Sequence, residues 1–251
     1  MELQGRTALL TGATGGLGRA IARALAERGA VLVLSSRKPD ELAELAAELP
    51  GSGHRKVVAD LADIGAVEAL AAEAGDVDVL VANAGLGAQG RVDDFCEADV
   101  ERVIRVNLEA PVRTARALAP AMRARGSGHM VFVSSLASKA ASAHNALYGA
   151  TKAGLRGFAL GLRQDMARDG VGVSVICPGF IRDAGMFADS GREPPMRLGT
   201  STPEEVGEAV VAAIEHDRPE IDVAPLRQRV LANFSGRRPH LAARISGGRT
   251  G

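Results

Sequence analysis

Aromatic residues and cysteine are scarce in this sequence. Only 3% of its 251 residues are aromatic: tryptophan is absent and Tyr148 is the one tyrosine. The two cysteines are too few for a disulfide framework. We interpret Cys177, in an apolar run directly before Pro178, as a core residue and Cys96 as an incidental loop thiol. The five histidines are scattered without the spacing of metal ligands, so we expect no metal site.

The sequence also has no excess of charge of either sign and no long apolar run. Lysine plus arginine and aspartate plus glutamate both number 30, so no net field attracts nucleic acid or membranes. No apolar run approaches the roughly 18 residues of a membrane span, and nothing like a signal peptide precedes the first apolar run. We expect a cytoplasmic protein with no nucleic-acid partner and no stable membrane insertion.

Short apolar runs alternate with segments of helical periodicity. Strands are predicted at 6–11, 31–34, 56–59, 77–82, 129–134, 171–177 and 220–224, and helices at 20–28, 40–49, 64–74, 99–125, 146–168 and 202–216. This alternation predicts an α/β fold, a doubly wound (Rossmann) parallel sheet of about seven strands with helices on both faces. We place a single domain at 1–225. An Arg-rich C-terminal extension, 226–251, is expected as a solvated tail that partly docks or as an amphipathic flap.

A glycine-rich turn directly follows the first predicted strand and precedes a helix, which is the context in which such a turn binds a dinucleotide. Glycines let the backbone approach a ligand closely, and a helix N-terminus attracts a pyrophosphate. The predicted pyrophosphate contacts are Gly12, Thr14, Gly15, Gly16, Leu17 and Gly18.

The second predicted strand ends in Ser36-Arg37-Lys38, where many dinucleotide folds carry an acid that binds the adenosine ribose. Arg37 can form charge-assisted hydrogen bonds with a 2′-phosphate, which an acid would repel. The alternative is that both cations simply cover the surface. We expect Ser36 and Arg37 to contact the cofactor, with NADP(H) preferred and NAD(H) possible.

The ends of the third and fourth predicted strands also carry candidate cofactor contacts. Asp60 and Leu61 are placed to flank an adenine ring, although Asp60 can equally cap the helix that follows. After the fourth strand, Ala84 and Gly85 are small enough to admit a ribose, and Asn83 can tie neighbouring strands together.

Tyr148 and Lys152 are four residues apart on a predicted helix, so they share one face. We expect the ammonium to lower the phenol pKa from its usual value of about 10, which makes a proton donor and acceptor usable near neutral pH. Ser135, at the end of the fifth predicted strand, can hold the same substrate oxygen. This constellation predicts proton transfer to or from a carbonyl or carbinol oxygen.

Pro111 lies inside the long predicted helix 99–125 and should kink it or open its hydrogen-bond ladder. Asn107 lies four residues earlier on an otherwise apolar face. It is either a satisfied interior amide or the site where a freed carbonyl holds a water molecule.

Over about residues 5–225 these motifs together resemble the classical short-chain dehydrogenase/reductase family. The matching residues are Thr11-Gly12-x-x-x-Gly16-x-Gly18, Asp60, Asn83-Ala84-Gly85, Asn107, Ser135, Tyr148-x-x-x-Lys152 and Pro178-Gly179. The resemblance implies a Rossmann fold, NAD(P)-dependent oxidation of alcohols or reduction of carbonyls, and a homo-oligomer, often a tetramer.

The resemblance also implies a role for each matching residue. Tyr148 would be the acid/base and Ser135 would polarise the substrate carbonyl. Lys152 would bind the nicotinamide ribose and lower the tyrosine pKa, and Asn107 would hold a water of a proton relay. Pyrophosphate contacts would come from the glycine turn.

The nicotinamide would be bordered by Pro178, Gly179 and Ile181. One departure lies here, because the family usually carries a threonine shortly after Pro-Gly, whereas this chain continues with Arg182 and Asp183. The segment 180–198 is broken by proline and glycine and is predicted to form a lid over the site.

Two other functions compete with a dehydrogenase. A non-catalytic NADP-binding sensor or scaffold on the same fold would not need Asn107, Ser135, Tyr148 and Lys152 together. A methyltransferase would usually carry an acid at the second strand end, where this chain has Ser36 and Arg37. We therefore expect an enzyme acting on a small-molecule carbonyl or alcohol, with a largely apolar substrate pocket built from 86–91, 136–145 and 180–198.

Overall fold

The structure, a computed structural model, describes residues 1–183, 198–238 and 240. These residues form a seven-stranded, all-parallel sheet with the order β3-β2-β1-β4-β5-β6-β7. Its strands are β1 Thr7–Thr11, β2 Val31–Ser36, β3 Arg55–Val58, β4 Val79–Ala82, β5 Gly128–Val133, β6 Val171–Pro178 and β7 Glu220–Val223. The strand order reverses between β1 and β4, which is where open α/β sheets bind ligands at the carboxyl ends of their strands.

Helices cover both faces of this sheet. They are α1 Gly16–Glu27, α2 Pro39–Glu48, α3 Ile64–Ala74, α4 Glu97–Ile104, α5 Ala110–Arg125, α6 Ala146–Met166, α7 Pro203–Glu215 and α8 Leu226–Arg237. Successive strand residues point to opposite faces: Leu10 packs in the layer with α1, α2 and α7, and Leu9 in the layer with α3, α5 and α6. The predicted doubly wound sheet is confirmed. Within the described residues, no helix combines the length and apolar character needed to cross a membrane.

The predicted break near Pro111 is confirmed. Residues Arg105–Glu109 form a π-helical turn between α4 and α5. Proline has no N–H to donate to the carbonyl four residues earlier, which belongs to Asn107, and its ring crowds that carbonyl. A wider turn relieves the crowding, and such turns are frequent at functional sites.

One helix start and one helix cap differ from the predictions. Helix α1 begins at Gly16, directly after the glycine turn, rather than at Ala20. Helix α3 is capped by Asp63, whose Oδ1 accepts from the Gly65 amide at 2.9 Å, so the cap is not Asp60. Helix α7 begins with a capping box formed by Thr202 and Glu205.

The C-terminal extension forms the helix α8 over Leu226–Arg237. It buries Gln228 and Ala232, while Leu226, Val230, Leu231 and Phe234 remain exposed. The described part of the extension is therefore an ordered helix with one buried side.

His129, on β5, is a buried structural residue that bonds to the neighbouring strand β6. It is 2% exposed, and its Nε2 lies 2.8 Å from Ser174 Oγ. Because that hydroxyl donates its one proton to the Arg218 carbonyl at 2.6 Å, it must accept from the imidazole. Burial lowers the pKa of His129 to about 4, although Asp217 acts in the opposite direction.

We predict that this histidine makes the fold acid-sensitive. Between pH 6.5 and 4 the histidine of the unfolded chain binds a proton that the folded His129 does not. The free energy of unfolding therefore decreases by about 3 kcal/mol as the pH is lowered through this range, at 1.36 kcal/mol per pKa unit. His129→Gln, which does not titrate, should remove this part of the pH dependence in urea unfolding. The control His216→Gln, at an exposed position after α7, should keep it. An unchanged profile in His129→Gln would contradict the assignment.

Candidate active site

A cavity of about 900 Å³ opens at the carboxyl ends of the strands. It is lined by the predicted site residues Gly12, Thr14, Gly15, Gly16, Leu17, Gly18, Ser36, Arg37, Asp60, Leu61, Asn83, Ala84, Gly85, Ser135, Tyr148, Lys152, Pro178, Gly179 and Ile181. Asn107 is the one predicted site residue that does not line it. The fold thus brings segments from seven parts of the chain to one cavity.

The glycine turn between β1 and α1 is shaped for close approach of a ligand. Gly12 has φ +65°, and a Cβ at this position would lie 2.8 Å from the Ala84 Cα. Gly18 packs on the carbonyls of Gly12 and Ala13 with no room for a side chain. Gly15 precedes α1 without a side-chain cap, so the first helical N–H groups are open to an anion. These features fit a pyrophosphate.

Asn83 ties β4 to β1, as its position predicted. Its Nδ2 donates to the carbonyls of Thr11 and Gly12, each at 3.1 Å. In return, the Thr11 hydroxyl accepts from the backbone amides of Asn83 and Ala84 at 3.1 and 3.2 Å. This exchange fixes the glycine turn against the end of β4.

The part of the cavity beside the end of β2 carries several cations. Arg37 is exposed, with Nη1 4.0 Å from Asp60 Oδ2. Arg102 on α4 also lines the cavity and lies 3.5 Å from the same oxygen. Ser36 Oγ accepts from the Lys38 amide at 3.1 Å. One carboxylate is therefore flanked by two guanidinium groups at the end of β2, a setting that can bind an additional phosphate.

Ser135, Tyr148 and Lys152 meet at the end of β5. The Ser135 hydroxyl accepts from the Ala137 amide at 3.1 Å and hydrogen bonds with Tyr148. Lys152 is 2% exposed, and its Nζ donates to the Val133 carbonyl at 2.9 Å and lies 5.8 Å from the centre of the Tyr148 ring. The three predicted catalytic side chains are therefore neighbours.

The expected lowering of the tyrosine pKa is wrong. Burial raises the pKa of Tyr148 to about 12, and the hydrogen bond with Ser135 offsets only part of that rise. Burial also lowers the pKa of Lys152 to about 8. The physical reason is that burial disfavours the charged form of each group, the phenolate and the ammonium.

Asn107 lies behind the cavity wall and has a full set of side-chain partners. Its Oδ1 accepts from the Leu86 amide at 2.7 Å, and its Nδ2 donates to the Leu86 carbonyl at 2.9 Å and to Thr151 Oγ1 at 3.2 Å. It is completely buried. The side chain therefore joins the loop after β4 to α6, which agrees with a satisfied interior amide.

The wall formed by Pro178, Gly179 and Ile181 follows β6. Ile181 forms a parallel bridge with Ser201, so the chain segments before and after 184–197 lie side by side. Residues 184–197 carry most of the predicted lid and lie outside the described residues. His144 is exposed and does not line the cavity.

Comparison with known proteins decides the family. Residues 6–194 match the family described as short chain dehydrogenase. The chain belongs to the short-chain dehydrogenase/reductase family. Its relatives include a ketoacyl reductase, HetN, of Nostoc sp., 38% identical over 227 residues that cover 88% of this chain and 79% of the relative.

Solved structures of other short-chain dehydrogenases agree. A short chain dehydrogenase/reductase family protein superposes with a TM-score of 0.83 at 34% identity, covering 89% of this chain and 97% of that one. A short-chain dehydrogenase from Sphingobium yanoikuyae in complex with NADPH gives 0.81 at 28% identity, covering 94% and 95%. Members of this family are oxidoreductases that act on CH–OH groups, and this chain is one of them.

Two contributions to the cavity of this short-chain dehydrogenase were not predicted from its sequence. Arg102 precedes Val106 by four residues, and both line the cavity, so helical spacing was an available signal. Helix α8 supplies five more lining residues: Gln228, Leu231, Ala232, Phe234 and Ser235. They come from the segment expected to be a largely solvated tail, whose weak periodicity gave no sign of a buried face.

The chain has four lysines, so the lowered pKa of Lys152 can be measured directly. In the ligand-free protein with ¹³C-labelled lysine, we predict one side-chain signal that titrates near pH 8, because burial opposes the charge. Lys152→Met should remove that signal and Lys56→Met, at an exposed position on β3, should leave it. If the signal lost in Lys152→Met titrates near 10.5 instead, the lowered pKa is wrong.

Proposed function

We propose that this protein transfers a hydride between NADP(H) and a carbonyl or secondary-alcohol substrate. The observation that carries the proposal is a single cavity with two distinct ends: a glycine turn with flanking arginines, and the Ser135, Tyr148 and Lys152 group. NADPH, when bound, supplies the hydride. NAD(H) would use the same turn, with less benefit from the cations.

Tyr148 acts as the general acid and Ser135 holds the substrate oxygen. With a pKa near 12, Tyr148 keeps its proton at neutral pH. An alkoxide is a stronger base than a phenolate, so proton transfer from Tyr148 to the developing alkoxide is downhill. Hydrogen bonds from both hydroxyls stabilise the charge as it develops. With its raised pKa, Tyr148 is present near neutral pH in the protonated form that acts as the acid in carbonyl reduction.

Lys152 keeps most of its charge at pH 7, since its pKa is about 8. Its ammonium is held by the Val133 carbonyl, close to Gly85, where it can bind the nicotinamide ribose and stabilise a phenolate. Both side-chain polar atoms of Asn107 already have partners. A relay water would therefore bind the Asn107 main-chain carbonyl, to which Pro111 has no N–H to donate.

The substrate wall is mainly apolar, which favours a hydrophobic carbonyl or alcohol. Its lining residues include Leu86, Leu136, Ala137, Ala140, Phe180, Leu231 and Phe234. Reduction of a carbonyl also agrees with the ketoacyl reductase name of the Nostoc relative. On the family resemblance we further propose a cytoplasmic homo-oligomer, a dimer or a tetramer.

Tyr148→Phe should lower kcat by about 10³-fold or more, because general acid catalysis typically contributes 10²- to 10⁴-fold. The measurement is NADPH oxidation by absorbance over a panel of ketones and aldehydes. NADPH affinity, followed by fluorescence titration, should change by less than about threefold, since the ring lacks only its hydroxyl.

Retained turnover in Tyr148→Phe would remove Tyr148 from the mechanism. Tight NADPH binding by the wild type without turnover of any carbonyl or alcohol would instead favour the non-catalytic sensor.

Arg37→Asp should reduce the preference for NADPH over NADH by about 10- to 100-fold in kcat/KM. The change removes a charge-assisted hydrogen bond, worth roughly 1.5–3 kcal/mol, and places a negative charge near the 2′-phosphate. Arg116→Asp makes the same charge change at an exposed position on α5 outside the cavity and should leave the preference unaltered. Equal NADPH/NADH ratios in wild type and Arg37→Asp would refute the role of Arg37.

A further inference from the structure

We propose that Gln228, on the C-terminal helix α8, is a positioning residue of the active site. On this proposal, which rests on the function above, its amide clamps the two chain segments on either side of 184–197 and holds the nicotinamide-facing wall in place. Gln228 does not touch the reacting atoms and acts through Gly179 and Phe180.

The Gln228 amide is buried and bonded to both segments. The residue is 5% exposed. Its Oε1 accepts from the Phe180 amide at 3.1 Å, and its Nε2 donates to the carbonyls of Gly199 at 2.7 Å and Leu198 at 3.4 Å. One side chain thus joins the residue that follows Gly179 to the residues that begin the return segment.

Gly179 packs directly against this amide. A Cβ at Gly179 would collide with Gln228 Oε1, and would lie 2.8 Å from the Ala224 Cβ. The Gly179 amide donates to the Val223 carbonyl at 3.0 Å. Gly179 is therefore held between β7 and α8, so the position of the wall depends on where Gln228 lies.

The two segments also pair with each other through their backbones. The Arg182 amide donates to the Ser201 carbonyl, and the Ser201 amide donates to the Phe180 carbonyl, each at 3.0 Å. This short ladder sets the register between the two segments, 178–183 and 198–202, which together we call the neck. Gln228 bonds the neck from its side and connects it to a helix, which the ladder alone does not do.

The far end of α8 contacts the opposite wall. Gly236 lies so close to the Lys139 carbonyl that a Cβ would collide with it. Lys139 ends the turn that begins at Ser135, and its ammonium pairs with Glu220 and Asp222. Helix α8 therefore spans from the Pro178–Phe180 wall to the Ser135 turn, and a displaced Gln228 would disturb both sides of the reacting centre.

The test compares Gln228→Met, which keeps the length but loses every hydrogen bond, with Gln228→Glu, which keeps the shape and the Oε1 acceptor. Asn233→Leu is the control, an amide removed from an exposed position of the same helix. The first readout is amide hydrogen exchange over 178–183 and 198–202, with and without NADPH. We expect at least tenfold faster exchange in Gln228→Met and no change in Asn233→Leu.

Kinetics supply the second readout. Gln228→Met should lose about 10- to 100-fold in kcat/KM for the carbonyl, while the Kd for NADPH changes by less than about threefold, since the phosphates bind at the other end of the cavity. A general loss of folding would lower the melting temperature and both parameters together.

Gln228→Glu separates positioning from packing. Below its own pKa the new carboxyl is protonated and can donate to the Gly199 carbonyl as the amide does, so kcat/KM relative to wild type should rise as the pH falls from 8 to 5. For Gln228→Met this ratio should stay flat. The charged groups on the surrounding elements (Arg182, Asp183, Asp222 and the α8 arginines) are common to all variants and cancel in the ratio.

Unchanged exchange in Gln228→Met, or kcat/KM within twofold of wild type in an active protein, overturns the proposal. Faster exchange at the neck in a protein that reduces no carbonyl would leave the clamp standing and reject the proposed function instead. The two failures are thereby distinguishable.

Discussion

The enclosure of one ammonium, that of Lys152, is the constraint on which the site depends. Its Nζ is held by the Val133 carbonyl at the end of β5, and its own backbone carbonyl accepts from Ser134 Oγ at 2.9 Å. On the other side, a Cβ at Gly85, in the loop after β4, would lie 3.3 Å from the ammonium, a tight contact that glycine avoids. A buried charge is costly unless it is bonded, and these contacts fix the helix α6, and with it Tyr148, against the sheet.

A second ammonium, that of Lys139, holds the turn after Ser135 in place. Burial lowers the pKa of Lys139, but its hydrogen bonds with Asp222 and Glu220 outweigh that effect and the net pKa is raised. The ammonium therefore stays charged and fastens the turn after Ser135 to β7, the edge strand. Lys152 has only a carbonyl for its charge, whereas Lys139 has two carboxylates, and this difference explains why the two buried lysines shift in opposite directions.

The sequence predicted the parts of the site whose function lies in local chemistry. Glycines such as Gly12 and Gly18 are required by backbone geometry, and Tyr148 and Lys152 by helical spacing, so all four line the cavity as expected. Gln228 and the pKa of Tyr148 were missed because they depend on residues distant in the chain. Gln228 is buried only because Gly179, Gly199 and β7 surround it, and the phenol pKa reflects enclosure by several segments rather than the one lysine that sequence spacing reveals.

The pKa values of the neighbouring side chains Tyr148 and Lys152 are shifted in opposite directions, and this difference indicates their chemistry. Environments that push the pKa values of two titratable groups in different directions commonly mark an acid and its partner. Here the pKa of Tyr148 moves up to about 12 and that of Lys152 down to about 8, so near pH 7 a neutral phenol lies beside a cation. In that state the phenol carries the proton that carbonyl reduction requires, and a neutral phenol is poor at accepting another. Alcohol oxidation would first require loss of the phenol proton, and burial of the phenol opposes that loss.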